Sequence, residues 1–168
     1  MAKLFSFPNP VNETSARLVA AGVVILGAAF AATGNRWILV ALSYGFVARV
    51  LSGPTLSPLG RLVTQVLTPR LNFEHRFVPG PPKRFAQGVG AVFTLTASAL
   101  VLADATTVAR MVIALLVAAA LLEAVFAICL GCIVFGQLMK LGVIPQSVCE
   151  ECNDFAKVSA LTTKIHPA

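Results

Sequence analysis

All four cysteines of this chain lie between positions 129 and 152, in two Cys-x-x-Cys pairs, Cys129 with Cys132 and Cys149 with Cys152. On a helix, residues three apart sit about 60° around from each other, with Cα atoms within reach of a disulfide. Each pair can therefore cycle between dithiol and disulfide. Two pairs at different depths could pass electrons between a membrane carrier and a soluble partner. Dithiol redox chemistry at these four residues is the favoured reading. A second reading takes the same four thiolates as ligands of one structural zinc, because C-x2-C, sixteen residues and C-x2-C fall within a zinc spacing. Apolar filling suits a single membrane cysteine, but not four in two identical spacings. A quinone would be a fitting membrane carrier, yet no residue pattern marks a site for one.

Such thiols need a scaffold, and the composition says what kind. Of 168 residues, 57% are hydrophobic and 12% charged, whereas soluble domains run at about 45–50% and about 25%. An integral membrane protein with little soluble mass fits. The net charge of +6 is not a nucleic-acid footprint, because the basic residues flank apolar runs without interleaved aromatics. They suit topology signals and contacts with anionic lipid headgroups. The first apolar run starts late, behind two prolines, and a second follows within a few residues. That order predicts an uncleaved membrane helix rather than a signal peptide.

The hydrophobic pattern predicts helices over about 15–33, 36–52, 85–103 and 107–140, each near or above the ~20 residues that cross a bilayer. Asn12, Thr14 and Ser15 offer caps for the first. Thr33-Gly34-Asn35 and Ser52-Gly53-Pro54 end the first two, and Gly142 with Pro145 ends the last. Between helices two and three, Leu59, Leu62, Val63, Val66 and Leu67 recur at helical spacing, predicting a short interfacial amphipathic helix over about 55–69. The segment around Pro79-Gly80-Pro81-Pro82 is expected to be non-helical. The predicted fold is all-α: a four-transmembrane-helix bundle, 1–140, with a cysteine-containing C-terminal tail, 141–168.

With four crossings, both termini and the central loop share a side. That side carries Lys3, Arg17, Arg61, Arg70, Arg76, Lys83, Arg84, Lys140, Lys157 and Lys164, against Arg36 and Arg110 opposite. The positive-inside rule makes both termini and both cysteine pairs cytoplasmic. A reducing compartment means catalytic rather than structural disulfides.

Glu123 is the one acidic residue well inside a predicted crossing, and a buried charge there needs a partner. Arg49 is the expected one: each lies thirteen residues past an outer-side arginine, about 20 Å deep. On a continuous helix Glu123 faces away from the thiols, with Cys132 about 180° around and Cys129 about 120°. Asp104 is expected to cap helix four. His75 and His166 fall in polar segments and read as solvated. No Ser/His/Asp arrangement, phosphate loop or paired-carboxylate site is present in the sequence.

FPNPVNE before the first helix, PPKRFAQGVGAVF entering the third, CLGC, GVIP and CEEC together resemble a bacterial membrane family, domain-of-unknown-function family 4395, in an actinobacterial form. The resemblance covers most of the chain and implies a four-helix protein of the bacterial inner membrane without an established activity. It also implies soluble partners of the thioredoxin-like or rhodanese-type sulfurtransferase kind. The expected function is thus a membrane thiol–disulfide or sulfur-transfer partner protein. The alternative is a non-enzymatic, zinc-stapled scaffold or accessory subunit of a larger membrane assembly.

Overall fold

In a computed structural model, which describes residues 7–70 and 77–149, the first helix starts at its cap. Asn12 Oδ1 accepts from the backbone N–H of Thr14 and Ser15, at 2.9 and 3.4 Å, and α1 runs from Glu13–Thr33. Gly34 ends it with φ 67°, a conformation that suits glycine. A Cβ there would also lie 2.6 Å from Arg110 Nη2. Asn35 then caps α2, Arg36–Ser52, through the Trp37 N–H.

The segment expected to be interfacial forms as α3 (Pro58–Arg61), a π-helical stretch (Leu62–Leu67) and α4 (Thr68–Arg70). Its apolar stripe is divided. Val63 is buried and Leu59 packs over Gly22 of α1, while Leu62, Val66 and Leu67 point outward. Ser15 and Thr68 share a buried hydroxyl hydrogen bond of 2.9 Å, which ties this segment to the start of α1.

α5 spans Gly80–Leu102 and α6 spans Thr106–Phe126. α1 packs on α6, α2 on α5, and α5 on α6, around a core that includes Phe30, Leu39, Ile113, Ala97 and Ala109. α1, α5 and α6 are each long and apolar enough to cross a membrane. Large apolar side chains project outward along the bundle, among them Ile25, Val92, Leu95, Met111 and Leu115. That is the surface of a protein with lipid as solvent. Outside the all-α plan, one short pairing joins β1 (Val11–Asn12) to β2 (Phe77–Val78), antiparallel, so the lead-in is held beside the entrance to α5. Asn9 Oδ1 adds a 2.7 Å bond from the Gly80 N–H.

Three sequence expectations need correction. The segment around Pro81 and Pro82 is helical, because α5 starts at Gly80 and both prolines fall in its first turn, where their missing N–H groups are not needed. Asp104 does not cap the next helix: it has φ 58°, and α6 begins without a side-chain cap. The largest difference is at 107–140, which is not one helix. α6 stops at Phe126, Ala127 turns left-handed at φ 58° and ψ 20°, and α7 restarts at Leu130–Lys140. Helix ends leave carbonyls without helical donors. Here the Ala127 N–H reaches Glu123 O, the Ile128 N–H reaches Leu122 O, and Arg17 of α1 donates to Ala124 O and Val125 O at 3.1 and 3.0 Å.

This break can be tested at Ala127. A left-handed L-residue costs roughly 1–2 kcal/mol, so Ala127→Gly should raise thermal stability in detergent, while Ala127→Val should lower it. In a continuous helix Gly would instead cost about 1 kcal/mol relative to Ala. Loss of stability in Ala127→Gly would therefore argue for an unbroken helix.

Candidate functional site

The break in the fourth long apolar run decides where the first cysteine pair lies. Cys129 becomes the residue that precedes the first turn of α7, with φ −95° and ψ 102°, and Cys132 lies within that turn. Both are free thiols; Cys129 is buried and Cys132 half-buried. The positive end of the α7 dipole therefore faces Cys129, an environment that favours a thiolate. The Cys132 thiol hydrogen-bonds to Cys129 and holds it below the ordinary thiol value, helped by Lys83 and opposed by burial and by Glu123. The same bond, with burial, pushes Cys132 up. The two thiols are thus unequal, with the proton held more tightly on Cys132 than on Cys129.

α7 reaches this position by packing on the first half of α5. Gly131 makes the approach: a Cβ there would lie 2.6 Å from both Cα and Cβ of Ala86. One turn later Phe135 meets Phe85, with ring centroids 5.6 Å apart. The packing brings the thiols to Lys83, in the first turn of α5, whose ammonium donates to Glu123 Oε1 at 2.6 Å. The turn at Ala127 therefore undoes the angular argument that kept Glu123 away from the thiols. A cleft of about 490 Å³ is lined by Lys83, Cys129, Cys132 and Glu13. A second cavity, about 290 Å³, is bounded by Cys129 and Glu123 but otherwise mostly by apolar side chains of α1, α5 and α6.

The expected Arg49–Glu123 ion pair is not formed. Glu123 takes Lys83, and Arg49 donates instead to Gln87 Oε1 at 2.7 Å and Ser57 Oγ at 3.1 Å. Its guanidinium also lies over the Phe46 ring, 4.6 Å from the centroid. Equal depth along two helices does not by itself make a pair, since α2 packs on α5 and α5 stands between the two charges' elements. Lys83 was overlooked because it read as a loop charge. The available signal was that Lys83 and Gln87 are four apart, hence on one face once α5 starts at Gly80.

Of the second pair, Cys149 ends a short 3-10 turn, Gln146–Cys149, and is buried against Phe135 and Met139 of α7. It is disulfide-bonded. Cys152, His75 and His166 lie outside the described residues, as does most of the expected tail. Three of the four ligands that a zinc site would require, Cys129, Cys132 and Cys149, are described. Among the described residues no group of three His, Cys, Asp or Glu is gathered as a metal centre.

Double-mutant cycles should separate the two charge assignments. Lys83→Met or Glu123→Gln alone should each destabilise by about 3–5 kcal/mol, as expected when one partner of a buried pair is left behind. The double change should recover much of that. Arg49→Met combined with Glu123→Gln should be additive within about 0.5 kcal/mol. Strong Arg49–Glu123 coupling in thermal unfolding would restore the original pairing.

No curated protein and no solved structure matches the chain. A family model does, over residues 11–140, which takes in the long helices and the first cysteine pair. The chain belongs to the family described as "Domain of unknown function (DUF4395)".

Proposed function

We propose that the protein is a membrane thiol–disulfide or sulfur-transfer partner whose reacting group is the Cys129–Cys132 dithiol. One observation carries this reading: two free thiols at the start of α7, beside the Lys83–Glu123 pair and open to a cleft. In the redox form, the Cys129 thiolate attacks one sulfur of a partner disulfide, forming a mixed disulfide and releasing the partner's other sulfur as a thiolate. Cys132 then loses its proton and attacks Cys129, closing the 129–132 disulfide and releasing the partner as a dithiol. Two electrons leave this chain for the partner together with the Cys132 proton, and the partner dithiol takes its second proton from water, because Cys129 reacts as the thiolate. Attack of Cys129 on a persulfide would move one sulfur atom onto Cys129 by the same displacement.

A thioredoxin-like or rhodanese-type soluble protein is the partner class that suits such a step, and Cys149 with Cys152 would supply a second exchange pair. The proposed topology has four crossings, α1, α2, α5 and α6, with both termini and the dithiol on the cytoplasmic face of a bacterial inner membrane. The disparity of ten basic residues against two supports it. α2, with 17 residues, spans about 25 Å at 1.5 Å per residue, adequate with a small local thinning.

The polarised pair predicts unequal chemistry. Cys129 should be alkylated first, with half-maximal reactivity below the ~8.5 of a free thiol, and Cys132 should follow only at higher pH. Cys132→Ser should trap a mixed disulfide on Cys129, and Cys129→Ser should trap none, as read on non-reducing gels with mass spectrometry after acid quenching. Equal labelling of the two thiols, with no 129–132 disulfide at any redox poise, would sink the reading.

A further inference from the structure

Arg49 is 5% exposed and has no carboxylate partner among the described residues. Among the described residues its hydrogen bonds use Nε and Nη1, both to neutral acceptors, and none uses Nη2. Some compensation exists: the Phe46 face and the C-terminal carbonyls of α2, which carry roughly half a negative charge. A guanidinium stays charged at any physiological pH and is seldom buried without an anion. The local charge is therefore incomplete.

The missing partner has a place to sit. Arg49 lines a cavity of about 240 Å³ with Lys83, Gln87, Asn12, Ser15 and Thr64; its lining holds two cations and no carboxylate. Lys83 is already neutralised by Glu123, so the cavity retains one net positive charge. The cavity lies where α1 and α5 begin, between Asn12 and Ser15 of the one and Lys83 of the other, so the positive ends of both helix dipoles are near it. Its neutral rim offers hydroxyl and amide groups, which suit the remaining oxygens of a polyvalent anion.

We propose that this cavity binds a tetrahedral oxyanion, a phosphate- or sulfate-type group, with Arg49 as its principal ligand. The group reaches the cavity either as the headgroup of an anionic lipid or as a free anion. The size agrees: a cavity of about 240 Å³ holds one such group with water, and in the proposed topology it would lie on the cytoplasmic side, near lipid headgroups.

Thermal unfolding of the full-length protein in neutral detergent tests this without reference to the thiols. Sulfate or inorganic phosphate, against chloride at equal ionic strength, should raise Tm by about 5 °C or more at a hundredfold excess over Kd. Stabilisation by the free ions identifies a soluble oxyanion. Stabilisation only in phosphatidylglycerol nanodiscs, and not in phosphatidylcholine ones, with a lipid adduct in native mass spectrometry, identifies the headgroup. Arg49→Met should abolish either effect. Arg49→Lys, which keeps the charge and guards against a misfolded methionine variant, should weaken binding tenfold or more. If neither anion source stabilises the wild type, or if Arg49→Lys binds as the wild type does, the proposal is wrong.

Discussion

The last turn of α6 leaves carbonyls without helical donors, and donors for them come from elsewhere in the protein. Arg17 provides two of them from the first turns of α1, and the left-handed turn at Ala127 provides more. Much else follows from that closure. α7 is displaced from the axis of α6 and packs on α5 instead, with Gly131 against Ala86. The Cys-x-x-Cys pair consequently begins a helix rather than interrupting one. A thiol in the middle of a continuous apolar helix would have neither a helix N-terminus nor a cation beside it.

The same end of the bundle sorts its charges into two neighbouring groups. Lys83 and Glu123 neutralise each other next to the thiols, while Arg49 is held by neutral acceptors over an aromatic ring. Gln87 lies one turn beyond Lys83 and lines cavities on both sides, so α5 is the element that separates and links the two groups. Packing supports this arrangement. Gly90 leaves room for Phe46, since a Cβ there would lie 2.2 Å from the ring, and Phe46 in turn carries the Arg49 guanidinium.

The division suggests how a small membrane protein can combine reactivity with recognition. A polarised dithiol needs a cation near one sulfur and restricted water. An anion site needs a cation left uncompensated by the protein. The first two turns of α5 touch both: Lys83 stands beside the thiols, and Gln87 holds Arg49 of α2. The β1–β2 pairing and the Asn9–Gly80 bond hold the entrance of that helix against the lead-in.

What the amino-acid sequence determined alone was whatever depends on local pattern. Apolar length and the caps at Asn12, Gly34 and Asn35 define α1 and α2, and the cysteine spacing raises dithiol chemistry as a proposal without coordinates. The interfacial segment was readable from its period, although which leucines face protein was not, because that depends on a neighbouring helix. The tertiary structure decided the rest. Ala127 carries no Gly or Pro signal, and its turn exists because Arg17, 110 positions earlier, supplies donors that only folding brings there. Glu123 chose Lys83 over Arg49 for a similar reason: depth along an axis can be counted from sequence, but the azimuth at which two helices meet is set by packing. Charge partners in a bundle are fixed by that azimuth, and so the grouping of Lys83 and Glu123 with the first cysteine pair became visible only once the helices were in contact.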